Sequence, residues 1–191
     1  MAKLPPLELA KLAPAIAPML EHARPTVRTA ALGAIGQLPC AALIESADGV
    51  VAQLAHPEAA VRKAALSTLA NLPADALAPH ASACVAQLED SDGTVRDAAL
   101  SALSKLTAEA LASQAAAMVA LLEHPDAGVR VSALSGLSDL SAAQHAAHAF
   151  DPITTVLQKD HDPQVRRAAL RALGETRTMK AVAEQRLTMF S

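Results

Sequence analysis

One short pattern recurs five times along the chain. A Val-Arg pair returns at steps of 34, 34, 34 and 36 residues, beginning at Val27, Val61, Val95, Val129 and Val165. Each copy continues into a run of Ala and Leu, as in TVRDAALSAL. A chemical motif normally occurs once in a chain, whereas a fixed period of about 20–50 residues is typical of stacked structural repeats. The sequence therefore predicts an architecture built from copies of one unit.

Each copy has the pattern of two helices joined by a short turn. In the third copy, Leu77 and Cys84 belong to a series of apolar residues at helical spacing, which predicts a first helix. The turn SDG follows, and Asp92 is the expected N-cap, because its carboxylate can accept from the free N–H groups of the next helix. The second helix is TVRDAALSALSKL, with Val95 and Leu103 facing the core. A single hairpin cannot bury such a face alone, so the copies must stack.

The predicted fold is an all-α solenoid, or superhelix, of about five helical hairpins plus a C-terminal helix. The repeats are expected in one continuous array, at approximately 5–38, 39–72, 73–106, 107–140 and 141–176. The period breaks after Gly174, and residues 178–190 are expected to form an amphipathic helix. That helix either caps the last repeat or docks a partner, with Met189 and Phe190 at its tip.

Composition restricts both the core and the function. The 191 residues are 52% apolar but include two Phe, no Trp and no Tyr, so the core must consist mainly of Ala, Leu and Val. A net charge of −3 argues against general nucleic-acid binding. The sequence contains no stretch of about 20 apolar residues, so it predicts no membrane span. The two cysteines lack metal spacing, which favours the cytoplasm or another reducing compartment, although a presequence already cleaved off is compatible with the sequence.

The pattern D-x-x-V-R-x-A-A-L-x-A-L from Asp92 to Leu103 resembles HEAT repeats, and the resemblance extends to all five copies. The aromatic columns of tetratricopeptide repeats and the TPLH motif of ankyrin repeats are missing from the sequence. The copies are shorter than usual HEAT repeats and are similar to the short HEAT-like repeats of phycobilisome lyase-type proteins. The resemblance implies an α-solenoid.

The resemblance also implies a role for the repeated arginine. In HEAT proteins this arginine typically pairs with an Asp of the turn between helices, and the pairs form a ladder along the stack. The arginines of the ladder here are Arg28, Arg62, Arg96, Arg130 and Arg166. Asp residues stand five or three positions before the Val, at Asp90, Asp92, Asp126, Asp160 and Asp162. At the earlier position three copies have His22, His56 and His124, which leaves the ladder incomplete there.

The histidines are the strongest candidates for metal chemistry, and a structural interpretation is favoured for each. The three turn histidines end first helices, where His suits the negative end of the helix dipole. A HEAT-like iron enzyme, deoxyhypusine hydroxylase, uses His-Glu pairs, whereas this chain has Glu-His at 21–22 and 123–124. His145 and His148 stand at i, i+3 without an evident further ligand. No metal or cofactor is predicted.

Glycines and cysteines offer no better catalytic set. Gly33 and Gly36 are not followed by Lys-Ser/Thr, so they are interpreted as close helix packing rather than a phosphate loop. Cys84 occupies an apolar position and is expected to be buried and inert. Cys40 lies at a helix start, where a thiol pKa can fall, but no base is evident near it. No catalytic residue is predicted.

The outward face of the second helices is the candidate partner-binding surface, because in HEAT arrays these helices commonly line the concave face. Its columns six and nine residues after the Val are small and mostly uncharged, and include Ser67, Ser101, Ser104, Ser135 and Ser138. Arg167 and Arg171 stand at i, i+4 on the fifth second helix and would suit an acidic partner. The alternative is that these residues form an ordinary solvated surface.

The function predicted from these features is a non-enzymatic protein-binding scaffold or adaptor, a subunit of a larger assembly. The alternative is a bilin-lyase-type enzyme or chromophore chaperone, which rests on family resemblance alone.

Overall fold

The structure is a computed structural model, and it describes residue 8, residues 10–140 and residues 149–174. Every regular element within those residues is an α-helix or a 3-10 turn, which confirms the predicted all-α solenoid class. The predicted C-terminal helix 178–190, with Met189 and Phe190, lies outside the described residues, as do His145 and His148. The chain divides into two compact units, Met1–Thr107 and Ala108–Ser191, called unit 1 and unit 2 below.

The described part of unit 1 folds into three helical hairpins. The first consists of α1 (Ala13–Ile16), a 3-10 turn (Ala17–Glu21) and α2 (Pro25–Ile35). The second consists of α3 (Cys40–Glu45), α4 (Ala47–Ala52) and α5 (Ala59–Leu69). The third consists of α6 (Ala74–Leu77), α7 (Ala81–Ala86) and α8 (Gly93–Leu103). Short 3-10 turns at Gln53–Ala55 and Gln87–Glu89 end the first helices of the second and third hairpins.

Unit 2 repeats this arrangement within its described residues. One hairpin consists of α9 (Ala108–Ser113), α10 (Ala115–Ala120), a 3-10 turn (Leu121–Glu123) and α11 (Ala127–Ser138). The next has α12 (Phe150–Lys159) and α13 (Pro163–Gly174). We refer to α2, α5, α8, α11 and α13 as the second helices, because each follows the turn of its hairpin.

The first helices of several hairpins are interrupted, whereas the sequence pattern predicted continuous helices. In the third hairpin, Pro79 lies in the 3-10 turn Ala78–His80 that separates α6 from α7. Proline has no N–H to donate and its ring disfavours a continuous α-helix. Between α3 and α4, the Ser46 hydroxyl donates to the Ala42 carbonyl at 2.8 Å, a back-bond that tends to bend helices. Apolar periodicity predicts the buried face of a helix but does not detect these local interruptions.

Three of the second helices begin at an Asp N-cap. Asp92 accepts from the Thr94 N–H at 2.8 Å. Asp126 accepts from the Gly128 N–H at 2.6 Å, and Asp162 accepts from the Gln164 N–H at 2.7 Å. These bonds satisfy N–H groups that have no partner inside the helix, so they define where α8, α11 and α13 begin.

The core of each unit is assembled from the repeated apolar columns. The alanine four residues after each repeated Val is buried in all five copies, at Ala31, Ala65, Ala99, Ala133 and Ala169. Because Ala is small, neighbouring helices can approach closely at this column. Larger buried side chains, including Leu66, Leu103 and Leu134, fill the space on either side. None of the described helices has the length and hydropathy that crossing a membrane requires.

Candidate functional site

A buried ion pair joins consecutive hairpins of unit 1. Arg62 of α5 donates from Nε to Oδ2 of Asp90 at 2.5 Å and from Nη2 to Oδ1 at 2.7 Å. Its Nη1 donates to the His56 carbonyl at 2.8 Å. The side chains of Arg62 and Asp90 are 14% and 6% exposed. The guanidinium therefore ties the turn of its own hairpin to the turn of the following one, 28 residues later.

Unit 2 contains an ion pair of the same form. Arg130 of α11 donates from Nε to Oδ2 of Asp160 at 2.7 Å and from Nη2 to Oδ1 at 2.9 Å. Its Nη1 donates to the His124 carbonyl at 2.9 Å. Two parallel N–H···O bonds to one carboxylate are stronger and more directional than a single contact. We call each arginine with its turn contacts a rung.

The rungs determine the protonation of their carboxyls. Burial raises the pKa of Asp90, but the hydrogen bonds from Arg62 and from the Asp92 N–H outweigh burial, so the pKa lies below its ordinary value. The pKa of Asp160 is lowered in the same way, because the bonds from Arg130 and the Asp162 N–H exceed the effect of burial. The hydrogen bond to Asp90 raises the pKa of Arg62. Both carboxylates therefore remain ionised through the neutral pH range.

The other repeat arginines keep the contact within their own turn. Arg28 donates from Nη1 to the His22 carbonyl, and Arg96 donates to the Asp90 carbonyl at 2.7 Å. Arg166 donates to the Asp160 carbonyl at 2.9 Å. The Nε atoms of Arg28 and Arg96 are buried and have no hydrogen-bond partner among the described residues. In the hairpin that follows Arg28, the residue equivalent to Asp90 is His56, which comes 28 residues after Arg28 as Asp90 comes 28 residues after Arg62.

At the same position in the turn, Asp90 and Asp160 accept both from a turn N–H and from a repeat arginine. The side chains of the turn histidines accept only from the turn N–H among the described residues. The Nδ1 atoms of His22, His56 and His124 each accept from the N–H two residues later, at 3.0 Å. Asp90 and Asp160 accept the equivalent N–H with Oδ1, at 2.8 and 2.9 Å. An imidazole nitrogen that accepts in this way carries no proton. Sequence reasoning missed this bond, although the alternation of His and Asp at one position was its visible signal.

The described residues hold no group of three or more His, Cys, Asp or Glu side chains arranged to bind a metal ion. Burial raises the pKa of the Cys84 thiol to about 11, so this sulfur is protonated and unreactive at neutral pH. Cys40 is exposed.

A cleft of about 430 Å³ runs between α2 and α5 in unit 1. We call it the unit 1 cleft, and it is lined by Thr29, Gly33, Gly36, Gln37, Ala60, Lys63, Ala64, Ser67, Thr68 and Asn71. At its floor the Thr68 hydroxyl lies 2.9 Å from the Leu32 carbonyl of α2 and 2.9 Å from the Ala64 carbonyl of its own helix, so its one hydrogen is shared between them. At one end the Asn71 amide donates to the Gly36 carbonyl at 3.3 Å. These two polar contacts link α2 to α5, while the outward surfaces of the two helices stay open.

The two glycines of the unit 1 cleft differ, and close packing explains only one of them. A Cβ atom added at Gly36 would lie 3.0 Å from Nδ2 of Asn71. A Cβ atom added at Gly33 would meet nothing within 4 Å. The prediction that both glycines serve close packing is therefore wrong for Gly33, which instead leaves the cleft open.

Gly33→Ala should stabilise the protein by about 0.5–1 kcal/mol, because an alanine inside a helix loses less backbone entropy than glycine. Gly36→Ala should gain little or nothing, since its methyl group must displace Asn71 from the Gly36 carbonyl. Urea unfolding followed by far-UV circular dichroism measures both changes. Equal gains at the two positions would show that Asn71 yields without cost.

Unit 2 has a smaller cleft of about 220 Å³ between α11 and α13, the unit 2 cleft. It is lined by Val131, Leu134, Ser135, Ser138, Ala168, Arg171 and Ala172. The Ser135 hydroxyl donates to the Val131 carbonyl at 3.0 Å, and that of Ser138 donates to the Ser135 carbonyl at 2.6 Å. Both hydroxyl hydrogens are therefore directed into α11, and Arg171 is the charged donor at this cleft.

The candidate partner-binding residues are placed in three groups. Ser67 lines the unit 1 cleft, and Ser135, Ser138 and Arg171 line the unit 2 cleft. Ser101 and Ser104 are exposed on and just after α8 and line neither of these two clefts, while Arg167 is exposed one turn before Arg171. The amide and ammonium groups of the unit 1 cleft, Gln37, Asn71 and Lys63, were not predicted from the sequence.

Comparisons with known proteins agree with the repeat pattern. Residues 49–106 match a family model described as a HEAT-like repeat, and residues 115–188 match one described as HEAT repeats. No protein of curated function matches the sequence.

Several solved structures share the fold. A designed armadillo repeat protein in complex with the peptide (KR)4 is 20% identical, with a TM-score of 0.56 over 88% of this chain and 85% of its own. The complex of CpcE and CpcF of phycocyanin lyase from Nostoc sp. PCC7120 is 18% identical, with a TM-score of 0.57 over 85% of this chain and 98% of its own. The MAST/Orbit N-terminal domain is 18% identical, with a TM-score of 0.57 over 83% and 80%. With both family matches and the repeated Val-Arg pattern, the chain belongs to the HEAT-repeat family.

Proposed function

We propose that this protein is a non-enzymatic scaffold that binds a segment of another protein at the clefts between its second helices. The observation that carries this proposal is the unit 1 cleft, an open space of about 430 Å³ above Gly33. Its floor is made by Ala64 and the aliphatic part of Thr68, and its margin holds the amides of Gln37 and Asn71.

The chemistry of this lining suits a peptide. Side-chain amides both donate and accept, so they can bond the N–H and C=O groups of a main chain whatever its sequence. Asn71 already donates to Gly36, which fixes the orientation of its amide. The apolar floor offers a place for an aliphatic or aromatic side chain of the partner, because the chain itself contains neither Trp nor Tyr to act as an anchor.

Two comparisons support a peptide-binding use of this kind of surface. Among structures of the same fold, one designed armadillo repeat protein is in complex with a peptide, and others were designed for modular peptide recognition. With identities of 20% and 21%, these relatives support the architecture and supply no binding residues.

Gly33→Gln should obstruct the unit 1 cleft without disturbing the helix, because a Cβ atom at Gly33 meets no neighbour. We expect this variant to recover about tenfold less of a stoichiometric partner than the unchanged protein in affinity capture quantified by mass spectrometry. The matched control is Ala86→Gln, which adds the same side chain to an exposed position on α7. Equal recovery by both variants and the unchanged protein would move the binding site away from the cleft.

The alternative function is that of a bilin-lyase-type enzyme or chromophore chaperone. The complex of CpcE and CpcF of phycocyanin lyase shares the fold with this chain at 18% identity. Mixing the protein with a bilin and its apoprotein acceptor separates the two functions. A change in visible absorbance that depends on this protein would favour the lyase over the scaffold.

A further inference from the structure

The outer surface of α13 carries two arginines that no rung uses. Arg167 and Arg171 are exposed and stand one helical turn apart, whereas Arg166 is engaged with the turn carbonyls. Neither Arg167 nor Arg171 forms an ion pair or a side-chain hydrogen bond with another of the described residues. Among the described residues, no carboxylate therefore engages either of these two guanidinium groups, which stand on one helical face.

The unit 2 cleft places a small apolar floor, together with the Ser135 and Ser138 side chains, directly beside this charge. Leu134 and Ala172 are buried at its floor, Ala168 and Val131 are half-buried at its sides, and Arg171 forms part of its wall. Next to Arg171 in the sequence of α13, Leu170 is 56% exposed, whereas at the equivalent position Leu32, Leu66 and Leu134 are fully buried and Leu100 is half-buried. A ligand that carries both an apolar group and a negative charge would therefore be complementary to this surface.

We propose that the unit 2 cleft binds an acidic segment of a partner protein, which rests on and deepens the proposed scaffold function. An aliphatic side chain of the segment occupies the cleft between α11 and α13, and a neighbouring carboxylate bonds to Arg171, with a second one to Arg167. The chain itself shows this pairing, because Arg62 and Arg130 each bind an Asp carboxylate with two N–H groups. A planar guanidinium fits a carboxylate in this forked geometry better than an ammonium does.

Bulk charge does not account for such binding. The chain carries a net charge of −3, so an acidic segment is repelled at long range and is attracted only where the local charge is positive. Because both arginines are exposed, salt should weaken the interaction. The sign of the charge on the peptide that binds, and the weakening of its binding by salt, therefore test whether this surface is the binding site.

The test uses the full chain and two fluorescein-labelled peptides of about ten residues, one alternating Glu and Leu and the other alternating Lys and Leu. Fluorescence anisotropy should show saturable binding of the Glu-Leu peptide that weakens with added salt. Arg171→Glu should weaken that binding about tenfold, because it replaces the attraction with repulsion. Lys159→Glu, the same charge change on the exposed surface of α12, should leave it unchanged.

Four outcomes would overturn the inference. Equal weakening by Arg171→Glu and Lys159→Glu would show that net charge governs binding, and preference for the Lys-Leu peptide would reverse the partner's charge. Binding that appears only after deletion of residues 175–191 would assign the cleft to the chain's own C-terminal segment. If neither peptide binds, the inference is also refuted. The affinity capture with Gly33→Gln concerns the unit 1 cleft, so it tests the scaffold function separately.

Discussion

Asp90→Ala should lower the free energy of unfolding by about 2–4 kcal/mol, because it leaves the buried charge of Arg62 without its carboxylate. The Arg62 side chain is 14% exposed, so water replaces the lost partner only in part. The variant also loses the bond from the Asp92 N–H to Oδ1 of Asp90, which shapes the turn before α8. Urea unfolding followed by far-UV circular dichroism measures the change.

Asp97→Ala is the matched control, because it removes an exposed carboxylate from the neighbouring helix α8 and should change stability by less than about 0.5 kcal/mol. The double variant Arg62→Ala/Asp90→Ala should cost less than the sum of the single variants, since no charge is then stranded. Equal losses for Asp90→Ala and Asp97→Ala would contradict a structural role for the rung.

Acid should reproduce the effect of removing the rung carboxylates. The pKa values of Asp90 and Asp160 are lowered in the folded protein, so the unfolded chain binds protons more readily at these sites. Their contribution to stability is present above the unfolded pKa of about 4 and is lost as the pH falls through the lower folded values. In Asp90→Ala this acid-dependent loss should be smaller than in the unchanged protein.

The repeat architecture could be predicted from the sequence because it depends on local, repeated chemistry. The 34-residue spacing of Val and the Asp N-caps such as Asp92 each place an element within a few residues of its observed position. Observed α8 ends at Leu103, three residues before the predicted Leu106, since Ser104 to Leu106 form a tight turn. These features follow from residues within one repeat and do not depend on contacts with the next hairpin.

The candidate site was less predictable because it depends on pairs of residues far apart in sequence. Arg62 pairs with Asp90 across 28 residues, and the pattern alone did not distinguish this carboxylate from Asp92, which caps a helix. The unit 1 cleft depends on Gly33 of one hairpin and Asn71 of the next, and neither column has a recognisable motif. Such sites follow from the stacking register, which the sequence pattern does not specify to the precision of a hydrogen bond.

His56→Asp should stabilise the protein by about 1–3 kcal/mol, because it supplies a charged acceptor to a buried donor that now has none among the described residues. The donor is Nε of Arg28, and residue 56 follows Arg28 by the same 28 residues that separate Asp90 from Arg62. One oxygen of the new carboxylate would keep the turn bond from the Glu58 N–H, which Nδ1 of His56 now accepts at 3.0 Å. The other would accept from Arg28 and complete the rung.

His22→Asp is the control for this gain. It makes the same substitution in the same kind of turn, where Nδ1 of His22 accepts from the Arg24 N–H, but no repeat arginine of an earlier hairpin stands before it in the described chain. We expect its unfolding midpoint in urea to match that of the unchanged protein, while the midpoint of His56→Asp rises. If both substitutions raise the midpoint equally, the gain comes from the turn itself. Asp90→His gives Arg62 a histidine at the position where Arg28 has His56. If this substitution leaves the unfolding midpoint unchanged, the pairing of Arg62 with a carboxylate contributes little to stability.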